Sequence, residues 1–154
     1  MTKTSRKILS QDEIDRVSSA YLKKRGSHDI WEILQVEIED RILTARIRMR
    51  SYFVSPTDPE GFHLTMYPPI EFISQLMIIY VHVWAGLHEK TQEGWMIESS
   101  FSSKRAIRDP ENIQVRMEVT SIKKIKDKIY IIADTKVSDP DGGLFAARMK
   151  CLLS

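Results

Sequence analysis

Two side chains that can exchange protons lie close together in the middle of the chain, His63 and Glu71. An imidazole or a carboxylate held beside a carbonyl group can take a proton from water, so each is a candidate general base. Thr65, between them, carries a hydroxyl that could donate a hydrogen bond to an oxygen on which negative charge develops. This part of the chain therefore has the residue types that acid–base catalysis at a carbonyl requires.

Each of these residues also has a structural interpretation. Glu71 is expected in the first turn of a helix, where the helix dipole and the free N–H groups favour a carboxylate without any catalytic role. His63 follows a loop rich in proline and glycine, where an exposed histidine is ordinary. His82 lies within an apolar run and is interpreted as a core residue. Both interpretations of His63 and Glu71 stay open at this point.

Other kinds of site have poor support. The chain has no paired His or Cys spacing that would bind a metal, and no sharp strand-to-helix turn carrying a nucleophilic serine. Its one cysteine, Cys151, excludes an internal disulfide framework and is interpreted as a small buried hydrophobe. We therefore predict neither a metal nor a cofactor.

An apolar helix from Ile70 to Leu87 is predicted to position the candidate residues. Pro68 and Pro69 suit its first turn, because the N–H groups there have no intrahelical partner. The helix is apolar on nearly every face, so protein or lipid must surround it. Its apolar run is too short to span a membrane and is broken by His82, so we expect a buried core helix.

The remaining segments predict an α+β fold. Ser10 and Glu13 form a capping-box pattern that begins a short N-terminal helix, which Gly26 is expected to end. Apolar alternation predicts two strands before the long helix and three or four after it. We expect one domain over residues 10–154, in which an antiparallel sheet of five or six strands wraps around one central helix, preceded by a flexible arm over residues 1–9.

The overall charge gives little support to nucleic acid as a partner. The formal net charge of the 154 residues is +2, and acidic and basic residues are mixed along the chain. The first ten residues are polar and basic without an apolar stretch, unlike a secretory signal. We expect a cytoplasmic protein that neither binds nucleic acid nor spans a membrane.

The order of elements resembles the hotdog fold, and within it the FcoT-type long-chain fatty acyl-CoA thioesterases. The likeness extends from the first helix through the stretch that joins His63 to the central helix, and it includes the turn 139–143. Four residues keep the side chain of that family and two replace family asparagines. The four are Tyr21, Tyr52, His63 and Gln75; the two are Thr65 and Ser74.

This resemblance implies hydrolysis of a fatty acyl thioester carried by coenzyme A or acyl carrier protein, in a homodimer, or a larger assembly of dimers, with a shared site. Of the matched residues, Tyr52, His63, Thr65 and Gln75 would be catalytic, and Tyr21 and Ser74 would bind substrate. Glu71, a candidate base by its own chemistry, completes the predicted catalytic set. After the central helix, Lys104, Arg105 and Arg108 could contact coenzyme A phosphates or an acidic carrier protein. Alternatively, their charges protect an edge strand.

Two alternatives remain. The spacing of Glu71 and Gln75 is similar to the Glu-x-x-x-Gln of β-hydroxyacyl-ACP dehydratases, which implies dehydration or conjugate addition on a 3-hydroxyacyl or 2-enoyl thioester. The replacement of both family asparagines, at Thr65 and Ser74, fits a non-catalytic acyl-binding protein, because a hydroxyl has a different reach from an amide.

Overall fold

The computed structural model describes residues 5–18 and 30–154. Two helices and seven strands follow one another in this part of the chain. In order they are β1 (Arg6–Ile8), α1 (Gln11–Val17), β2 (Trp31–Glu39), β3 (Ile42–Met49), α2 (Tyr67–Trp84), β4 (Gly94–Arg105), β5 (Ile113–Ile125), β6 (Lys128–Ser138) and β7 (Leu144–Leu153).

The strands form one sheet in the order β1-β2-β3-β5-β6-β7-β4, and every neighbouring pair is antiparallel. Strand β4, the first after α2, returns to pair with β7 and therefore lies at one edge. The predicted class is confirmed, a sheet wrapped around one long helix.

The sheet has seven strands where five or six were expected. The additional strand is β1, which lies within the segment predicted to be a flexible arm. It pairs with the outer edge of β2, and the guanidinium of Arg6 binds the Glu37 carboxylate at 2.6 Å. Three residues are too few to show strand periodicity, and this strand depends on the β2 edge that it pairs with.

Helix α2 fills the centre of the fold. Every residue from Gln75 to His82 is buried, and the helix packs against β2, β6, β7 and α1. Burial of a single Leu or Ile side chain contributes roughly 1.5–3 kcal/mol, so this run is a large part of the core. The expected buried helix is confirmed. No described helix is long and apolar enough to cross a membrane.

Both ends of α2 lie earlier in the chain than predicted. The helix begins at Tyr67, and Pro68 and Pro69 lie in its first turn as predicted. It ends at Trp84 because Gly86 adopts a φ of 70°. The Gly86 N–H then donates to Val83 O at 3.1 Å and the Leu87 N–H to His82 O at 2.8 Å, which closes the helix with a Schellman motif.

Helix α1 is shorter than predicted. Its capping box is present, with the Glu13 N–H donating to Ser10 Oγ at 3.2 Å. The helix ends before Ser18, whose backbone is extended and whose N–H and Oγ–H both donate to Ile14 O. The predicted stop at Gly26 and the candidate Tyr21 lie outside the described residues.

Candidate functional site

The segment that leads into α2 is extended and presents His63 and Thr65 on one side. Phe62 and Leu64 are buried, whereas His63 and Thr65 are exposed, as expected when successive side chains point in opposite directions. The Leu64 N–H donates to Ile107 O at 2.9 Å and ties the segment to the loop after β4. The two candidate side chains therefore lie on the solvent side of a fixed piece of backbone.

The beginning of α2 has one open face. Tyr67, Ile70, Glu71 and Ser74 follow helical spacing and are all partly or fully exposed, with Tyr67 78% exposed. Glu71 lies in the second turn rather than the first, and Gln75, one turn further, is already buried. The open face, which contains Glu71 and Ser74, directly follows the segment with His63.

The loop after β3 packs beside this segment. The ring of Tyr52 contacts the ring of Phe62 edge-on, with 4.9 Å between their centroids. Val54 lies close to Gly61, whose φ of 85° favours glycine. Large apolar side chains are exposed on both sides of this contact, and they are Tyr52, Phe53, Val54, Met66 and Tyr67. An apolar patch therefore surrounds the segment that carries His63.

His63 is bound to a residue that the sequence did not single out, Asp58. The His63 Nδ1 lies 2.6 Å from Asp58 Oδ2, and Arg108 Nη1 donates to both Asp58 oxygens at 3.0 Å. The hydrogen bond from His63, that from the Glu60 N–H and the Arg108 contact lower the pKa of Asp58. Nothing in the sequence indicated this role for Asp58 except that it is a carboxylate five residues before His63.

Arg108 is held from several sides. Its Nε forms an ion pair with Glu60 Oε2 at 2.6 Å, in addition to the Asp58 contact, and its backbone N–H donates to Asp139 Oδ2 at 2.7 Å. Burial alone would raise the pKa of Asp139, but the backbone N–H donors around it, including those of Arg108 and Gly143, lower it. The Arg108 guanidinium thus binds two carboxylates of the protein, whereas the sequence suggested that it would bind phosphates of the substrate.

The other predicted substrate-binding residues have different surroundings. Arg105 Nε donates to Gly142 O at 2.7 Å, whereas Lys104 is exposed near the end of the edge strand β4. The Ser74 hydroxyl donates to Ile70 O at 2.6 Å and is turned back onto its own helix. Only Lys104 among these three directs its polar group to solvent without such a contact in the part of the chain that we describe.

Two surface recesses lie elsewhere, on the face of the sheet opposite α2. They have volumes of about 430 and 470 Å³ and share Arg116 and Lys136 among their lining residues. Neither recess contains a predicted site residue. Within residues 5–18 and 30–154, no group of three or more His, Cys, Asp or Glu side chains could hold a metal ion.

Comparisons with known proteins give matches among solved structures. No family model matches the sequence, and the comparison with curated proteins found no similar chain. A thioesterase from Pseudomonas aeruginosa superposes with a TM-score of 0.62 over 94% of each chain, at 15% identity. A hypothetical thioesterase protein from Streptococcus pneumoniae, solved with coenzyme A, gives 0.54 over 86% of this chain and 96% of the other, at 11% identity.

A third neighbour belongs to another reaction class. The dehydratase heterocomplex from Xenorhabdus doucetiae superposes with a TM-score of 0.59 over 90% of this chain and 89% of the other, at 12% identity. At such identities the likeness establishes the fold, and the fold of this chain is the hotdog fold. The closer resemblance to long-chain fatty acyl-CoA thioesterases stays a prediction.

Proposed function

We propose that this protein is an acyl thioesterase that hydrolyses a fatty acyl thioester, with a long acyl chain, on coenzyme A or acyl carrier protein. The observation that carries the proposal is the imidazole of His63. It is exposed, bound through Nδ1 to a carboxylate, and located just before the open first turns of the central helix. The hotdog fold, which neighbours named as thioesterases share, supports this assignment.

Hydrolysis requires a base for the attacking water. The His63 Nδ1 binds Asp58, so Nε2 is the ring nitrogen that accepts the proton as the water oxygen attacks the thioester carbonyl. The resulting oxyanion collapses and the carbon–sulfur bond breaks. The thiolate takes the proton back from His63, and the products are a carboxylic acid and a thiol. Glu71, on the open helix face, is the alternative base.

The beginning of α2 supplies donors for the oxyanion. First-turn N–H groups have no intrahelical acceptor, and Pro68 and Pro69 carry none, so those of Met66 and Tyr67 are the backbone donors at this end. The positive end of the helix dipole adds to their effect. The hydroxyls of Thr65 and Tyr52 lie on the adjoining segments and could donate as well.

The acyl chain and the pantetheine carrier need different surfaces. The apolar patch around Phe53, Val54 and Tyr67 suits the chain, because each Å² of apolar surface removed from water contributes ~25 cal/mol. The ammonium group of Lys104 suits a phosphate. We assign substrate binding to these groups, together with Tyr21.

The proposed active protein is a homodimer. The side chains of β4 are exposed along most of the strand, and Trp95, Met96 and Ile97 form an apolar run at its beginning. An unpaired apolar edge invites a second strand. Pairing of two β4 strands would extend the sheet and cover the open side of each site.

The test is thiol release from a panel of acyl-CoAs of increasing chain length. The site variants are His63→Ala and Glu71→Gln, and the control is His88→Ala, since His88 is an exposed histidine beyond α2. We expect kcat to fall when the general base is replaced and to be unchanged in the control. Loss of a general base lowers kcat by about 10²-fold or more. Cys151 adds no background, because burial raises the pKa of its thiol to about 11. Unchanged turnover in both site variants would contradict a catalytic role for His63 and Glu71. If no substrate releases thiol, the proposed thioesterase function is wrong.

A dehydratase-like reaction is the second candidate. The dehydratase neighbour and the spacing of Glu71 and Gln75 on one helix face favour it. Product analysis with a 3-hydroxyacyl thioester separates the two reactions, because dehydration leaves the thioester intact and yields a 2-enoyl product. An acyl ligand that co-purifies intact, without either reaction, would instead indicate a binding protein.

A further inference from the structure

We propose that Asp58 is a positioning residue that fixes the His63 ring with its proton on Nδ1 and its lone pair on Nε2, and that Arg108 holds Asp58 in place for this purpose. This inference rests on the proposed function, in which His63 is the base. It assigns a role to a loop carboxylate that neither the sequence pattern nor the fold comparison indicates.

The hydrogen bond itself determines the tautomer. An ionised carboxylate only accepts hydrogen bonds, so the 2.6 Å contact between Asp58 Oδ2 and His63 Nδ1 requires a proton on Nδ1. In the neutral ring the lone pair then lies on Nε2. The His63 side chain is 45% exposed, so substrate and water can reach that nitrogen. The ring is therefore held in the form that a general base needs.

Asp58 itself is unsuited to be the base. Its two oxygens accept from His63, from Arg108 and from the Glu60 N–H at 3.1 Å, and its side chain is only 11% exposed. These donors lower its pKa, with the His63 bond the largest cause, so it stays ionised in the neutral range. A carboxylate in this state orients a neighbour and stabilises the imidazolium that forms when His63 takes a proton.

The support behind Asp58 is anchored to the sheet. The N–H groups of Arg108 and Asp109 donate to Asp139 Oδ2, and the Gly143 N–H donates to Asp139 Oδ1 at 2.7 Å. A Cβ at Gly143 would lie 2.6 Å from the Ile107 Cα, so only glycine allows the two backbones to approach this closely. The turn between β6 and β7 thus fixes the backbone that carries Arg108.

The guanidinium of Arg108 joins this anchored loop to the loop that carries His63. It binds Asp58 through Nη1 and Glu60 through Nε at 2.6 Å, so both acidic residues of the loop are held by one side chain. A supporting group held by several contacts keeps its partner in one orientation. Asp139 therefore holds the backbone of Arg108, the Arg108 guanidinium holds Asp58, and Asp58 in turn orients His63.

The experiment compares Asp58→Asn with wild type, with Asp127→Asn in the exposed β5–β6 turn as the matched control. The amide keeps an acceptor for the Glu60 N–H but can also donate to Nδ1, so the ring is no longer restricted to one tautomer. We expect kcat for an acyl-CoA to fall by about 10²-fold, with KM within twofold of wild type and no change in the control. A fall in stability with unchanged kcat would overturn the proposal, because it would leave Asp58 a structural role only.

A second measurement does not depend on activity. Nitrogen-15 NMR of the histidine rings identifies which nitrogen of His63 carries the proton, and His63→Gln assigns the signal. We expect the Nδ1–H form in wild type and a mixture of the two tautomers in Asp58→Asn and in Arg108→Ala, because Asp58 loses the guanidinium that holds it in the second variant. An Nε2–H form in wild type would overturn the proposal. If wild type shows the Nδ1–H form and releases no thiol, the proposed function fails while the orientation of His63 by Asp58 stands.

Discussion

His82 is the one buried histidine among the described residues, and its surroundings differ from those of His63. It lies in the core on α2, where its Nδ1 donates to Ile78 O at 2.8 Å. Burial lowers the pKa of its imidazole, against the smaller opposite effect of the Ile78 carbonyl. The folded protein therefore resists protonation at a residue that the unfolded chain protonates readily.

The free energy of unfolding should consequently fall as the pH drops below the ordinary histidine pKa of about 6.5. The unfolded chain binds a proton there that the folded state does not, which gives a slope of at most about 1.4 kcal/mol per pH unit. Urea unfolding between pH 5 and 7.5 measures this slope. His82→Gln should reduce it, and His88→Gln should leave it unchanged. Asp58 and Asp139 are ionised throughout this range because their pKa values are lowered. The contact between His63 and Asp58 is present in both wild type and His82→Gln, so the difference between their slopes isolates the contribution of His82.

At the scale of single residues, the sequence indicated His63 and Glu71 because their types can move protons. It could not indicate Asp58, since the hydrogen bond to His63 depends on how a loop with no periodicity is folded. It also could not show that the Arg108 guanidinium is held by Asp58 and Glu60. Contacts between loops depend on tertiary structure that residue type and spacing do not encode locally.

Among the elements, α2 fills the centre of the fold, and one glycine, Gly86, closes its C-terminal end. Gly86 has a φ of 70°, a conformation that side-chain-bearing residues rarely adopt, although a Cβ there would meet no atom within 4 Å. We expect Gly86→Ala to lower the free energy of unfolding by about 1 kcal/mol through backbone strain alone. Urea unfolding checks this value, with Ala85→Ser as control because Ala85 has right-handed backbone angles. A stability equal to wild type would contradict it.

The sequence predicted every strand except β1, but the strands differ in how clearly apolar and polar residues alternate, and burial explains the difference. In β3 and β5 one face is packed and the other is wet, so apolar and polar residues alternate. Strand β4 is exposed along most of its length and shows no such alternation, and β1 is only three residues long. The pattern in a sequence reflects a buried face, and edge strands have little of one in a single chain.

At the scale of the whole molecule, one apolar helix and a set of strands were enough to predict the fold. A helix buried on all sides from Gln75 to His82 needs a sheet that curves around it. The same topology leaves the first turns of α2 open and β4 at an edge. The candidate site therefore lies where the single chain covers its central helix least.

That arrangement predicts that separating the proposed dimer also lowers activity. Met96→Lys combined with Ile97→Lys would place charge on the apolar run of β4, where a partner strand would otherwise pair. We expect wild type to sediment as a dimer and the double variant as a folded monomer.

In the monomer kcat/KM should fall at least tenfold, because the open face of α2 loses its cover. The control is Ile125→Lys, because Ile125 is an exposed apolar residue at the end of β5, and this variant should remain dimeric.

A stable interface buries roughly 1,200–2,000 Å² in total, more than a few side chains supply. Further surface beside β4 must therefore be buried in the dimer interface. The apolar patch around Phe53 and Tyr67 is exposed and could contribute to this interface as well as contact the acyl chain. A wild-type protein that is monomeric and active would contradict the shared site.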